Sequence, residues 1–598
     1  MKADVKRSPL ADSPLLRCLA IYREMPGRFV LTALLLAGVN VALVAQQVLV
    51  GHAVQEAGHG QLVRRLADGG FDYHRAWFWV ALLLGLSALR ALVQYGAQLL
   101  SLTIGQELLT TLRRRILAHI QSLELAWHWG HGVGEMVTRM TRDADKLRDA
   151  LINFWRQMFE TGLVVLISVA VLFAWSPWLG LVPLALVGLG IGLLWRQADG
   201  LVRLDHRIGA AYDAVTQDLS EGVNGVRVIK AFGLARARTA RFAHYVDTFR
   251  AEARAGIAHA SARVPLPQTI IALSHAWVLG YGAWAVSRGT LGIGGLVAAM
   301  LVVNTLVLRV EGIGRLLQVV ADARASAARI WEVLDARPAI ASGREPVPPG
   351  RLGIRLDRVS VSPLGDGGLV LHDVSFTVRP GEIIALVGPT GSGKSILTAL
   401  LPRLLDADSG RVLVGSDATG WRDVTRLDLS ALRRRVHVLP QESFLFSDSL
   451  AANLRLCAPQ ADEARLAATL EQAAARDVLA RLPEGFATRL GDRGVTLSGG
   501  QRQRICLARA LLSEADVLVL DDATSALDAV TERTALANIR ALRGEQGLPP
   551  TMLVVSSRLS TVLAADRVVV LVQGRIEAEG THEELAASST AYCELMGI

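Results

Sequence analysis

Gly388-Pro389-Thr390-Gly391-Ser392-Gly393-Lys394-Ser395 follows the spacing G-x-x-x-x-G-K-[ST]. Before it runs Ile383-Ile384-Ala385-Leu386-Val387, apolar and β-branched enough for a buried strand; after it, Ile396 to Leu401 begins a helical pattern. A strand, a glycine-rich turn and a helix in that order let backbone N–H groups curl around phosphate oxygens at a helix N-terminus. Lys394 supplies a cation for the outer phosphates, and Ser395 offers a hydroxyl to Mg²⁺. The spacing therefore predicts a nucleotide site holding ATP and Mg²⁺ in the C-terminal half.

Composition points to a second kind of structure. The chain has 598 residues, 51% of them hydrophobic, and a mean hydropathy of +0.35. Soluble domains are rarely so apolar over this length, so membrane spans are expected. The net charge of +8 comes without a Lys/Arg block or an aromatic-interleaved basic run. It is assigned to cytoplasmic loops under the positive-inside rule, and nucleic acid is excluded as a partner. Cys18, Cys457, Cys506 and Cys593 form no CxxC pair, which argues against a disulfide framework or a metal cluster. The charged start shows no small-residue cleavage site, so no cleaved signal peptide is expected.

Six spans can be placed in the lipid bilayer: Phe29–Val50, Trp77 to about Ile104, Phe159–Trp175, Leu179–Trp195, Ile270–Val286 and Leu291–Leu308. Pro14 to Met25 has the spacing of a short helix lying on the membrane surface. Two long charged helical stretches, 105–150 and 196–260, are arginine-rich and belong in the cytoplasm with both termini. Polar residues inside spans are costly and therefore informative. Arg90, Gln94 and Gln98 share one helical face; Asn40, Gln46 and Gln47 lie in the first span, and Gln268, His275 and Asn304 in or beside the last two. As a set, Gln46, Gln47, Arg90, Gln94, Gln98, His275 and Asn304 are read as a polar translocation cavity, with interhelical hydrogen bonding the alternative for any one of them.

After a proline-rich linker with Pro346, Pro348 and Pro349, strands alternate with helices to the end, which predicts an α/β domain with a largely parallel sheet. Val438-Leu439-Pro440-Gln441 places a glutamine just after a strand. Leu497-Ser498-Gly499-Gly500-Gln501 precedes Arg502-Gln503-Arg504. Val517-Leu518-Val519-Leu520-Asp521 is an apolar strand ending in a carboxylate, and Ser525-Ala526-Leu527-Asp528 follows. An LSGGQ between a P-loop and such a strand is highly specific. The chain resembles a half-transporter of the ABC exporter family, and the resemblance covers essentially everything beyond the N-terminal tail. It implies a six-helix transmembrane domain, all-α and of the domain-swapped exporter type, fused to an α/β P-loop ABC ATPase domain. The implied divisions are an N-terminal elbow segment (1–27), the transmembrane domain (28–325), a linker (326–352) and the nucleotide-binding domain (353–598). By the same resemblance Gln441 is the Q-loop residue, and Ser395, Gln441 and Asp521 hold Mg²⁺. Leu497–Gln501 is the signature that clamps a γ-phosphate, and Asp528 belongs to the D-loop. Gly134–Asp145 and Glu221–Phe232 resemble the intracellular loops whose short coupling helices dock on ATPase domains.

Three departures from the family fall on one composite site. The position after Asp521, usually the glutamate general base, is Asp522; one methylene is missing, and a misplacement near 1 Å costs on the order of 100-fold. Ser557 stands where a switch histidine contacts the γ-phosphate. Pro363 lies in the segment that carries an adenine-stacking aromatic residue. The family's geometry puts each ATP between the P-loop side of one subunit and the signature of the other. All three losses therefore degrade the site on this chain's own P-loop, while the signature it lends stays intact. That implies a heterodimer with a second, non-identical half-transporter that carries the catalytic glutamate and the switch histidine. The implied action is alternating-access export of an amphipathic drug, lipid or peptide across a bacterial inner membrane. The alternatives are a slowly turning homodimer, an importer on an exporter fold, and a gated channel or regulatory subunit.

Overall fold

The computed structural model describes residues 14–19, 25–65, 71–263, 265–311, 313–363, 368–491, 494, 497–542 and 549–598. The chain divides into two compact units, 1–121 with 134–336, and 122–133 with 337–598.

The first unit is helical. Its helices are α1 (Pro14–Leu19), α2 (Pro26–Gly58) and α3 (His74–Ser122), whose last residue passes into the second unit; α4 (Leu125–Gly130) and the first residue of α5 (Val133–Thr138) also belong to that unit. The first unit continues through α6 (Ala144–Trp175), α7 (Pro177–Asn224), α8 (Val226–Ala231), α9 (Ala235–Arg263), α10 (Pro265–Ser287), α11 (Ile293–Glu311) and α12 (Ile313–Asp335). Between α2 and α3, β1 (Arg64–Arg65) pairs antiparallel with β2 (Phe71–Asp72). Among the described residues six segments are long and apolar enough to cross a membrane: Pro26–Gly58, His74–Ser122, Val133–Trp175, Pro177–Gln197, Ala235–Ser287 and Ile293–Val310. The helices run well past the apolar stretches. α3 has 49 residues and α7 has 48, or about 70 Å each at 1.5 Å per residue, over twice a ~30 Å hydrocarbon core. Prolines start α2 and α7, where a missing N–H costs nothing.

Charged residues brace this unit where apolar packing stops. α5 passes into a π-helical turn, Arg139–Asp143, in which both terminal residues are buried. Arg139 pairs with Glu135 and with Glu332 at 3.0 Å and donates to the Arg329 carbonyl at 3.1 Å; Asp143 accepts from Arg329 at 2.5 and 2.8 Å and from Ser326 at 3.1 Å. The Gly134–Asp145 motif is therefore an internal tie to α12. α4, upstream, packs within the second unit, its Leu125 N–H donating to the Leu404 carbonyl at 3.4 Å. α1 is likewise a packed element: Arg17 grips Asp335 through two bonds of 2.5 and 2.6 Å and stacks over Trp331, which donates to Cys18 Sγ at 3.0 Å. Residues 20–24 of the expected surface helix lie outside the described residues.

Among its described residues the second unit has two sheets. β3 (Gly353–Val361), β4 (Leu371–Val378), β6 (Ser409–Ser416) and β7 (Gly420–Asp423) form an antiparallel sheet in the order β4-β3-β6-β7, which the expectation of one largely parallel sheet missed. β5 (Ile383–Val387), β8 (Val436–Leu439), β9 (Val517–Asp521), β10 (Thr551–Val555), β11 (Arg567–Val572) and β12 (Arg575–Gly580) form the other, in the order β12-β11-β5-β10-β9-β8, parallel except for β12. Every residue of β5, β9 and β10 is buried, because layers cover both faces of a parallel sheet. Register aligns Val555 with Leu386 on one side and with Asp521 on the other. The loops after β5, β8, β9 and β10 thus leave the same edge of the sheet, the carboxyl edge where ligands bind in open α/β folds.

Candidate nucleotide site

The P-loop leaves β5 and enters α13 (Lys394–Leu400). Gly391 and Gly393 adopt φ of +83° and +99°, conformations that L side chains rarely reach. At Gly388 an added Cβ would lie 2.1 Å from the Leu571 carbonyl oxygen, so only glycine lets the loop pass the β11–β12 turn. Gly574 in that turn donates to Ser392 O at 3.2 Å, and His372 donates to Gly574 O at 2.8 Å, which pins the loop from outside.

The interior of the loop suits an anion. Lys394 Nζ donates to the Gly388 and Pro389 carbonyls, both at 2.8 Å. Burial lowers its pKa against the opposing pull of Asp521 and Asp522, so an ammonium half withdrawn from water stands ready for a phosphate. Ser392 Oγ is buried without a hydrogen-bond partner, an orphan that a phosphate oxygen would satisfy. Asp521, 7% exposed, accepts from Thr398 Oγ1 at 3.2 Å, one turn beyond Ser395 on α13. Gln441 Nε2 donates to Asp522 Oδ2 at 3.2 Å, so Gly388–Ser395, Gln441, Asp521 and Asp522 come together at one edge. These residues fit ATP with Mg²⁺, which Ser395, Asp521 and Gln441 would hold.

Asp522 is unusual in two ways. Its φ is +49°, a left-handed conformation that a short polar side chain tolerates better than a long one. Burial raises its carboxyl pKa, aided by the Asp521 charge and opposed by the Gln441 bond. Ser557 is exposed on the segment after β10, and Pro363 is half-buried just past the end of β3.

The signature has different neighbours. Ser498 caps the helix Gly499–Leu512: its Oγ accepts from Gln501 N–H at 3.2 Å while Gln501 Oε1 accepts from Ser498 N–H at 2.8 Å, a reciprocal capping box. Gly500 approaches the Ala526 carbonyl, 2.8 Å from where a Cβ would stand. Gln503 donates to Ser525 Oγ at 3.2 Å and accepts from Ala526 N–H at 2.8 Å. Leu497–Gln501 is thereby joined to the loop preceding Asp528. Asp528 itself caps the helix Ala529–Ala541, accepting from Val530 N, Thr531 N and Thr531 Oγ1.

Residues 29–310 match the family described as the ABC transporter transmembrane region, and residues 371–525 match the family described as ABC transporter. The chain belongs to the ABC transporter family. It is 30% identical over 546 residues, 90% of each chain, to the Escherichia coli multidrug resistance-like ATP-binding protein MdlA. It is 31% identical over 560 residues, 92% of this chain and 93% of the relative, to an ATP-dependent lipid A-core flippase of Bordetella avium. Its fold resembles that of a bacterial Atm1-family ABC exporter solved with ATP bound, with a TM-score of 0.80 at 23% identity, over 97% of this chain and 99% of the other. The second unit of this ABC transporter is accordingly an ATP-binding ATPase domain.

In the membrane unit the polar residues divide. Gln46 donates to Ser87 Oγ at 2.9 Å and Gln47 to Thr305 Oγ1, so both tie helices together. Arg90 keeps a buried Nε without a partner; Gln94, Gln98 and Asn304 are exposed, and His275 Nδ1 lies 3.2 Å from the Ala272 carbonyl. A partly buried charge set went unnoticed in the sequence: the buried Glu160 pairs with half-buried Arg309 at 2.8 Å and Arg156 at 3.5 Å, and Arg309 reaches Asn40 Oδ1 at 3.4 Å. Thr398 and the fully buried Glu532 were missed as well, since neither belongs to a named motif.

Proposed function

We propose that this ABC transporter chain is one half of an ATP-driven exporter built from two non-identical halves, and that its own nucleotide site hydrolyses poorly. Asp522 carries the reading: its carboxylate is one methylene shorter than a glutamate's and is already engaged by Gln441 at 3.2 Å. Ser557 has too short a side chain to replace an imidazole at the γ-phosphate. The lent signature keeps every residue of its motif and a formed capping box. ATP with Mg²⁺ then stays at the chain's own site over several cycles, and hydrolysis on the partner half resets the transporter.

The relatives named for multidrug resistance and for lipid A-core flipping support an amphipathic substrate, drug-like or lipid. Arg90, Gln94, Gln98 and Asn304, with His275, are the contacts we assign to it; Gln46 and Gln47 position their helices. The cell location that suits this reading is a bacterial inner membrane with the ATPase domain in the cytoplasm. Native mass spectrometry of the tagged chain extracted from its own host in mild detergent tests the pairing. Two different subunit masses, one of them 64.2 kDa, are expected; a single species at twice that mass would overturn it.

A further inference from the structure

We propose that Glu532 is a positioning residue for ATP hydrolysis, fastening the loop after Asp522 to the segment carrying Ser557 so that the two move as one body. The inference rests on the ATPase domain alone and holds for either mode of pairing.

Glu532 sits in the first turn of the helix Ala529–Ala541 with no exposed side-chain surface. A carboxylate withdrawn from water needs its acceptor sites filled, and here the donors come from two segments, the loop after β9 (Thr524) and the start of the helix Leu559–Ala564 with its cap Arg558. Oε1 accepts from Thr524 Oγ1 at 2.6 Å and from Thr561 Oγ1 at 2.8 Å; Oε2 accepts from Ser560 Oγ at 2.7 Å and faces Arg558 at 3.5 Å. Arg558 then donates to the Leu527 carbonyl at 2.5 Å and to the Ser525 carbonyl.

The ring closes on the residues beside the nucleotide. Ser525 Oγ donates to the Asp522 carbonyl at 2.8 Å, and Asp522 N–H donates to Val555 O at 3.1 Å. Ser556 Oγ accepts from Arg558 N–H at 3.2 Å and lies 3.1 Å from Thr561 Oγ1. Ser557 is thus flanked on both sides by members of the network, while its own side chain stays free. The helix does not need Glu532 for its own start, because Asp528 already caps it with three bonds. What Glu532 adds is a second link between the two segments, beside the bonds that Arg558 makes to the Leu527 and Ser525 carbonyls. Loops without such links open at low free-energy cost.

The test uses the full-length transporter as it assembles, in lipid nanodiscs, with the general base of any non-identical partner half neutralised so that this chain's own site alone turns over. Thr561→Val keeps the shape and removes one donor; Thr561→Ser keeps the donor; Glu532→Gln removes the charge. The ATPase kcat of Thr561→Val and of Glu532→Gln is expected to fall about tenfold, with KM for ATP changed less than about threefold and Thr561→Ser close to wild type. A packing role predicts instead that the apolar, isosteric Thr561→Val is silent. The proposal is overturned if Thr561→Val keeps kcat within about twofold, or if its KM rises in step with the loss of kcat. Should Glu532→Gln fail to fold, the threonine pair decides the matter alone.

Discussion

Replacing Asp522 with glutamate tests whether the missing methylene limits this chain's own site. The substitution advances the carboxylate by about 1.5 Å, one carbon–carbon bond. A 1 Å error in placing a reacting group costs on the order of 100-fold, or about 2.7 kcal/mol in barrier. Two features of the structure hold the gain below that. Asp522 has a φ of +49°, and a longer side chain there loses about 1 kcal/mol of folding stability. Ser557, exposed and short, still leaves the γ-phosphate without an imidazole. The expected gain is therefore about tenfold for Asp522→Glu, and closer to the full 100-fold only when Ser557→His is added. The assay is phosphate release from the assembled transporter with the partner's general base neutralised, so that only this chain's site turns over. The reasoning fails if Asp522→Glu stays within about twofold of wild type, or if the unaltered site already matches the intact transporter's rate.

Lys394→Ala, which removes the ammonium held by Gly388 and Pro389, should weaken nucleotide binding at this site by more than about tenfold and slow transport, yet leave ATPase activity measurable; radiolabelled ATP retention read beside turnover checks it. Asp522→Asn should raise the melting temperature at neutral pH, because burial makes the ionised carboxylate costly in the folded state. The folded pKa lies above the unfolded one, so the gain is full above both and vanishes as pH falls below the ordinary carboxylate range; melting curves at several acid pH values follow it. Leu125→Asp, on the α4 face packed against the core of the second unit, should cost about 1–2 kcal/mol of apolar burial and leave basal ATPase intact while substrate stimulation and transport are lost in proteoliposomes.

The nucleotide site was legible because its residues are bound to short sequence spacings that backbone geometry enforces. Gly391 and Gly393 need left-handed φ, and β5, β9 and β10 are apolar throughout because both of their faces are covered. The six spans were legible from length and apolarity. What escaped were residues whose partners lie far off in sequence. Glu160 and Arg309 are 149 positions apart, and neither lies in a pattern that a local window registers. Glu532 reads from sequence as an ordinary first-turn acid of an amphipathic helix, and only the arrival of Thr524, Ser560 and Thr561 makes it a hub. The antiparallel sheet escaped because its strands are half-buried and alternate with turns, which blurs them into the βα pattern around them. The burial inside Gly134–Asp145 escaped as well, because a charged stretch reads as surface. Here Arg139 and Asp143 are buried, their charges spent on α12.

The chain passes between its two units at three points, after Gln121, after Val133 and after Ala336. The first and last lie at the ends of α3 and α12, the second just after the first residue of α5, and bonds join these elements nearby. His119 on α3 meets the Ala336 carbonyl at 2.7 Å. Arg113, also on α3, donates to the Met140 carbonyl at 3.2 Å and to Asp145 at 3.1 Å. Arg139 and Asp143 hold Glu332 and Arg329 of α12, and Arg17 of α1 closes on Asp335. In the Arg139–Glu332 and Asp143–Arg329 pairs one partner is buried and the other exposed, so these ties are partly screened by solvent. Within the first unit the Gly134–Asp145 motif thus joins α3, α6 and α12 close to where the chain leaves for the second unit.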